Sequence, residues 1–86
     1  MKLTQKLKAN NICKGVGTVN NNCRCAFSWI NYLTSDESES RYKYVMAQFK
    51  KSLGIKCIIV WNDNPDHSKD YIAATLNVFF DKMGYF

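Results

Sequence analysis

The sequence predicts a mostly α-helical fold: a compact four-helix domain with one extended segment near residues 55–61. Three observations predict it. Two long apolar stripes, over 42–53 and 72–83, recur at helical spacing. Both stripes are bounded by cap and stop residues. A single β-prone run, Lys56-Cys57-Ile58-Ile59-Val60-Trp61, has almost nothing to pair with. The chain has 86 residues, 47% of them hydrophobic, which suits one core and one domain spanning 1–86.

Residues 2–12 predict a short first helix with Leu3, Leu7 and Ala9 inward. Lys14 to Asn22 then reads as a turn or small hairpin, because glycine and asparagine tolerate positive φ. A second helix is expected over 22–33, with Ala26, Trp29, Ile30 and Leu33 inward. The third, over 35–53, has Thr34 as its cap and Glu37 at capping-box spacing. Tyr42, Val45, Met46, Phe49 and Leu53 form its stripe; Lys50 and Lys51 complement its C-terminal dipole, and Gly54 supplies a left-handed stop. The last helix runs over 69–83, capped by Ser68, with Ile72, Leu76, Phe79, Phe80 and Met83 inward and Gly84 at its end. Tyr85 and Phe86 then cover it. The remaining run, 55–61, is expected to be extended and buried between helices. Its one available partner is a short hairpin near 16–19.

Twelve Lys and Arg against seven Asp and Glu give a net charge of +5, distributed in blocks. Lys2, Lys6 and Lys8 fall on the outer face of the first expected helix, and Arg41, Lys43, Lys50 and Lys51 flank the stripe of the third. If those helices are neighbours, the bases form a strip suited to phosphates or to an acidic protein groove. The competing reading is two ordinary solvated faces that keep the chain soluble. No helix-turn-helix, zinc-finger or RNA-recognition signature accompanies the bases.

The stretch Ile58-Ile59-Val60-Trp61-Asn62-Asp63-Asn64-Pro65-Asp66-His67-Ser68 is the most chemically varied. Structurally, Trp61 plugs the core, Asn62, Asp63 and Asn64 make Asx-type turn bonds, and Ser68 caps the last helix. Asp63 and Asp66 beside His67 could also hold a cation. Yet the loop lacks the turn glycine of a calcium site, and Ala73 stands where its terminal glutamate would fall. The four cysteines, Cys13, Cys23, Cys25 and Cys57, allow three disulfide connectivities in a secreted chain. Without a signal peptide, buried reduced thiols are expected. A zinc set drawn from them with His67 is disfavoured by the tight Cys23-x-Cys25 spacing. A Cys57–His67 nucleophile pair lacks a third, orienting group. No catalytic residue, metal or cofactor is assigned. No apolar run approaches the ~18 residues of a membrane span. The basic start, Met1 to Asn11, is followed by no apolar stretch of the signal-peptide kind, so a cytoplasmic location in a host cell is expected.

Three short segments carry a resemblance. They are Asn11-Ile12-Cys13-Lys14-Gly15, Cys25-Ala26-Phe27-Ser28-Trp29-Ile30, and Trp61-Asn62-Asp63 with His67-Ser68 ahead of Ile72. They resemble the Gly-Trp-Cys-Gln-Gly, Cys-Ala-x-Gly-Ala and Trp-Asn-Asp segments of a family of small bacterial and phage proteins of unknown function. Ile12 stands where that family often has Trp, and Ser28 where it often has Gly. The resemblance implies a fold more than an activity. It tilts the functional expectation toward a phage or mobile-element protein that binds and inhibits a host defence complex, of the anti-CRISPR type. The expected partner is a host protein or ribonucleoprotein. The alternative expectation is a sequence-independent nucleic-acid-binding module.

Overall fold

In the computed structural model of the chain, the described residues are 3–15, 18–20 and 23–86, the strand 18–20 through its backbone alone. Among them, four helices pack around one apolar core: α1 (Ala26–Thr34), α2 (Glu39–Leu53), α3 (Ile58–Asp63) and α4 (Lys69–Lys82). The mostly α expectation therefore holds. A small hairpin of β1 (Thr18–Asn20) and β2 (Cys23–Arg24) precedes α1, with an irregular register between Thr18 and Asn20.

The four helices are not the four expected. The segment 2–12 is no helix in its described part. Only a 3₁₀ turn forms, at Ala9–Asn11, and the rest runs as an irregular strap beside α4. The cause lies in α4. The Asn77 side chain takes both backbone groups of Leu7, accepting its N–H at 2.8 Å and donating to its carbonyl at 2.9 Å. Leu3 donates its N–H to the Tyr85 carbonyl at 2.8 Å. Bonds to a distant partner thus replace local helical ones. Leu7 is nonetheless buried, as the stripe predicted, and Leu3 packs against the core.

The fourth helix comes from the run expected to be extended at 55–61. Residues 58–63 are helical, and only the approach through Cys57, at φ −138° and ψ 118°, is extended. A lone strand would leave its backbone groups unpaired, whereas a helical turn pairs some of them locally, the Trp61 N–H donating to the Cys57 carbonyl at 3.1 Å, while tertiary contacts hold the rest of the segment. The burial follows helical spacing: Ile58, Trp61 and Asn62 face inward, while Ile59 and Val60 are 47% and 69% exposed. The hairpin near 16–19 is displaced to 18–24 and pairs with itself. Residues 16 and 17 lie outside the described ones.

Two helices, α1 and α2, start later than expected, because other side chains supply their caps, whereas α4 starts at Lys69 as expected. The helix expected over 22–33 begins at Ala26, since β2 occupies 23–24. Cys25 caps it by accepting the Ser28 N–H. The helix expected over 35–53 begins at Glu39, capped by Ser38 through the Arg41 N–H at 3.1 Å. Thr34 and Glu37 form no capping box. Thr34 is buried, with its hydroxyl donated back to the Ile30 carbonyl, and Glu37 accepts the Tyr85 hydroxyl at 2.6 Å. Burial, followed by the Glu37 bond, pushes the Tyr85 phenol above its ordinary value. Gly54, at φ +65°, closes α2 in the left-handed conformation, as expected.

The core joins the two stripes. Val45, Met46 and Phe49 of α2 meet Ile72, Leu76, Phe79 and Phe80 of α4, with Trp61 against Phe49 edge-on at 5.4 Å. Tyr85 folds back onto Phe80, so the aromatic tail is a cover.

The cysteines also depart from expectation. Cys13 and Cys23 form a disulfide, with Cα atoms 5.4 Å apart, while Cys25 and Cys57 remain thiols. The β1–β2 hairpin brings residues 13 and 23 together, because Cys13 donates its N–H to the Arg24 carbonyl beside them.

Candidate functional site

The Trp-Asn-Asp turn is a bracket that ties three segments together. Asn62 is wholly buried, and its amide is satisfied on both sides. Its oxygen accepts the Ala26 N–H at the start of α1, and its nitrogen donates to the Cys13 carbonyl at 2.9 Å and to Asp63 Oδ1 at 3.0 Å. Asp63 Oδ1 also accepts the Gly15 N–H at 2.8 Å. The Gly15 bond and then the Asn62 amide hold the Asp63 carboxyl below its usual range, against an opposing effect of burial and with a lesser contribution from the charge of Lys14. Lys14 donates its ammonium to the Asn64 carbonyl at 2.6 Å and to the His67 carbonyl. His67 Nδ1 lies 2.7 Å from the Trp61 carbonyl, and its ring leans on Trp61 and Tyr71. Of the expected Asx-type bonds, only that of Asn64, which accepts the Asp66 N–H, is local. Apart from the bond between them, Asn62 and Asp63 bond across the fold instead. Ser68 caps α4 as expected, accepting the Tyr71 N–H at 3.1 Å.

The readable clue to the bracket was one amide directly behind a buried aromatic. Such an amide must find partners, but nothing in the sequence says where they are. Among the described residues, no group of three or more His, Cys, Asp or Glu side chains is gathered closely enough to hold a metal ion. The disulfide takes Cys13 and Cys23 from the zinc set considered above.

The bases expected to form a strip are distributed over separate hollows. Lys2 lies outside the described residues, and Lys6 is exposed on the strap. Lys8 borders a hollow against Asp70 and Asn77 of α4. Arg41 is half-buried and engaged in the fold, 3.9 Å from Glu37, donating to the Met83 carbonyl and lying against Tyr44 and Tyr85. Lys51 borders a separate hollow with Phe79 and Lys82. Lys43 and Lys50, seven residues apart and so on one side of α2, line another together with Lys56.

That hollow gathers three of the lysines against an apolar wall. It has a volume of about 370 Å3, walled by Phe27 of α1, Tyr42 and Met46 of α2, and Ile58 and Ile59 of α3. A second hollow of about 310 Å3 adjoins it, sharing Phe27 and Ile59 and ending at Gly15 and Asp63 of the bracket. A third, of about 370 Å3, opens on the other side of α3 beside Val60 and His67. The outward residues of α3, Ile59 and Val60, therefore stand as an apolar ridge between grooves. The bracket fixes this ridge, because Asn62 and Asp63 tie the end of α3 to α1 and to the Lys14–Gly15 turn.

No helix among the described residues is long and apolar enough to cross a membrane. Comparison of the chain with models of protein families, with curated proteins and with solved structures gives no match.

Proposed function

We propose that this protein acts by stoichiometric binding to another macromolecule, without catalysis, through the outward ridge of α3 and the grooves beside it. The observation that carries this reading is the ridge: two large apolar side chains, 47% and 69% exposed, lie next to each other on a helix locked in place from behind. The polar groups that acid–base chemistry would draw on, Asp63, Lys14 and His67, are engaged in holding that helix and its loop. The target class follows from the segment resemblance and the small size of the chain: a host defence complex of the CRISPR-effector type, bound in the cytoplasm by a phage or mobile-element protein.

The test is affinity capture from host lysate, with and without nuclease, using the native chain and an Ile59→Gln, Val60→Gln variant. A protein complex retained after nuclease and lost with the variant supports the reading. Capture that collapses with nuclease and ignores the variant moves the function to sequence-independent nucleic-acid binding. That alternative also requires affinity to fall steeply with salt.

A further inference from the structure

Resting on that reading, we propose that the two adjoining hollows beside Ile59 form a docking groove for a short acidic peptide segment carrying two large apolar side chains. Three features specify the occupant. The first is charge. Lys43, Lys50 and Lys56 line the larger hollow, and no carboxylate does. Lys43 pairs with Glu39 at 3.4 Å across side chains that are 72% and 81% exposed. Such a pair is weak and exchanges readily for a bound carboxylate.

The second feature is shape. The hollows, about 370 and 310 Å3, share the Phe27–Ile59 wall, so each has room for one large apolar side chain, and the two straddle Ile59. The third is polarity along the groove. The smaller hollow ends at Asp63, whose carboxyl is held ionised by the Gly15 N–H and the Asn62 amide. Acidic residues of the occupant therefore lie at the lysine end, and the other end carries none. The same carboxylate opposes a nucleic-acid backbone, whose phosphates would continue past the lysines toward it. A polypeptide can place charge at one end only; a phosphate chain cannot.

The test selects binders rather than assuming one. Random dodecapeptides displayed on a carrier are panned against the full chain, and the recovered peptides are synthesised and measured by fluorescence anisotropy. The expected binders carry Asp or Glu on one side of two large apolar residues. Their affinity drops tenfold or more with Lys43→Glu, Lys50→Glu, Lys56→Glu together, and likewise with Ile59→Gln. It changes less than twofold with Lys51→Glu and Lys82→Glu, which border a different hollow. Circular dichroism confirms that each variant is folded. Recovery of no binder, of binders without acidic residues, or of binders displaced by a single-stranded thymidine 20-mer overturns the proposal. Binders sensitive to Ile59→Gln but indifferent to the three charge reversals overturn the acidic occupant while leaving the α3 ridge as a binding surface. Binders indifferent to both remove the ridge as well.

Discussion

Replacing Asn62 with leucine leaves the Cys13 carbonyl and the Ala26 N–H buried without their partner, and Asp63 without one of its two donors. Each orphaned buried group costs roughly 1–3 kcal/mol, so Asn62→Leu is expected to lower stability by about 2–4 kcal/mol in urea unfolding. A loss below about 1 kcal/mol would show that water or a rearranged loop satisfies those groups instead. Its neighbour contributes through charge. Because folding depresses the Asp63 carboxyl, its stabilising effect is complete above the ordinary carboxylate range and disappears as pH falls through the depressed folded value. The native chain should therefore lose stability on acidification more steeply than Asp63→Asn. Thermal unfolding of both between pH 2 and pH 7 decides the matter. Parallel curves would mean that the exposed carboxylate contributes no pH-dependent stability.

Caps and stops act one level up, on whole elements. Ser38, not Thr34, starts α2, so Ser38→Ala is expected to cost about 1 kcal/mol in thermal or denaturant unfolding. A loss below about 0.3 kcal/mol for Ser38→Ala would mean that the cap is misassigned. Gly54 stands at φ +65° with open space where a side chain would project, so Gly54→Ala tests backbone conformation alone. A loss of about 1 kcal/mol is expected there. The same elements show how much of the fold the sequence made legible. The stripes of α2 and α4 were readable because each runs long enough for helical period to exceed noise, and Gly54 and Ser68 are local signals read locally. The run at 56–61 misled because β-branched residues favour strands only where another strand is present to receive them. Its burial at 58, 61 and 62 matches helical spacing, but three positions are too few to outweigh propensity. The strap at 3–8 misled for the opposite reason. Leu3 and Leu7 are spaced as on a helix and do face the core, yet the bonds that settle their backbone come from Asn77 and Tyr85. The candidate surface was half legible. Lys43 and Lys50 were visible as bases on α2, whereas Lys56, Phe27 and Ile59 join them only through the packing of α3.

At the scale of the whole molecule, the Cys13–Cys23 link spans a sequence separation of 10. Closing a loop of that size stabilises the fold by roughly 2–3 kcal/mol, chiefly by restricting the unfolded chain. Cys13→Ser with Cys23→Ser should therefore lower stability by about that amount under oxidising conditions and change nothing in excess dithiothreitol. Equal stability of native and double-serine chains without reductant would mean the link is not formed in solution. A reducing cytoplasm keeps such pairs as thiols. There the turn carrying Lys14 and Gly15 depends on its bonds to Asp63, Asn64 and His67 alone. The Asn77 clamp on Leu7 reaches across a separation of 70 residues. A ribosome delivers Leu7 long before Asn77, so during synthesis the strap has nowhere to settle and its leucines wait in the open. Packing of the strap therefore has to wait until α4 has been made. A nascent chain arrested before Asn77 would present Leu3 and Leu7 to chaperones rather than to its own core.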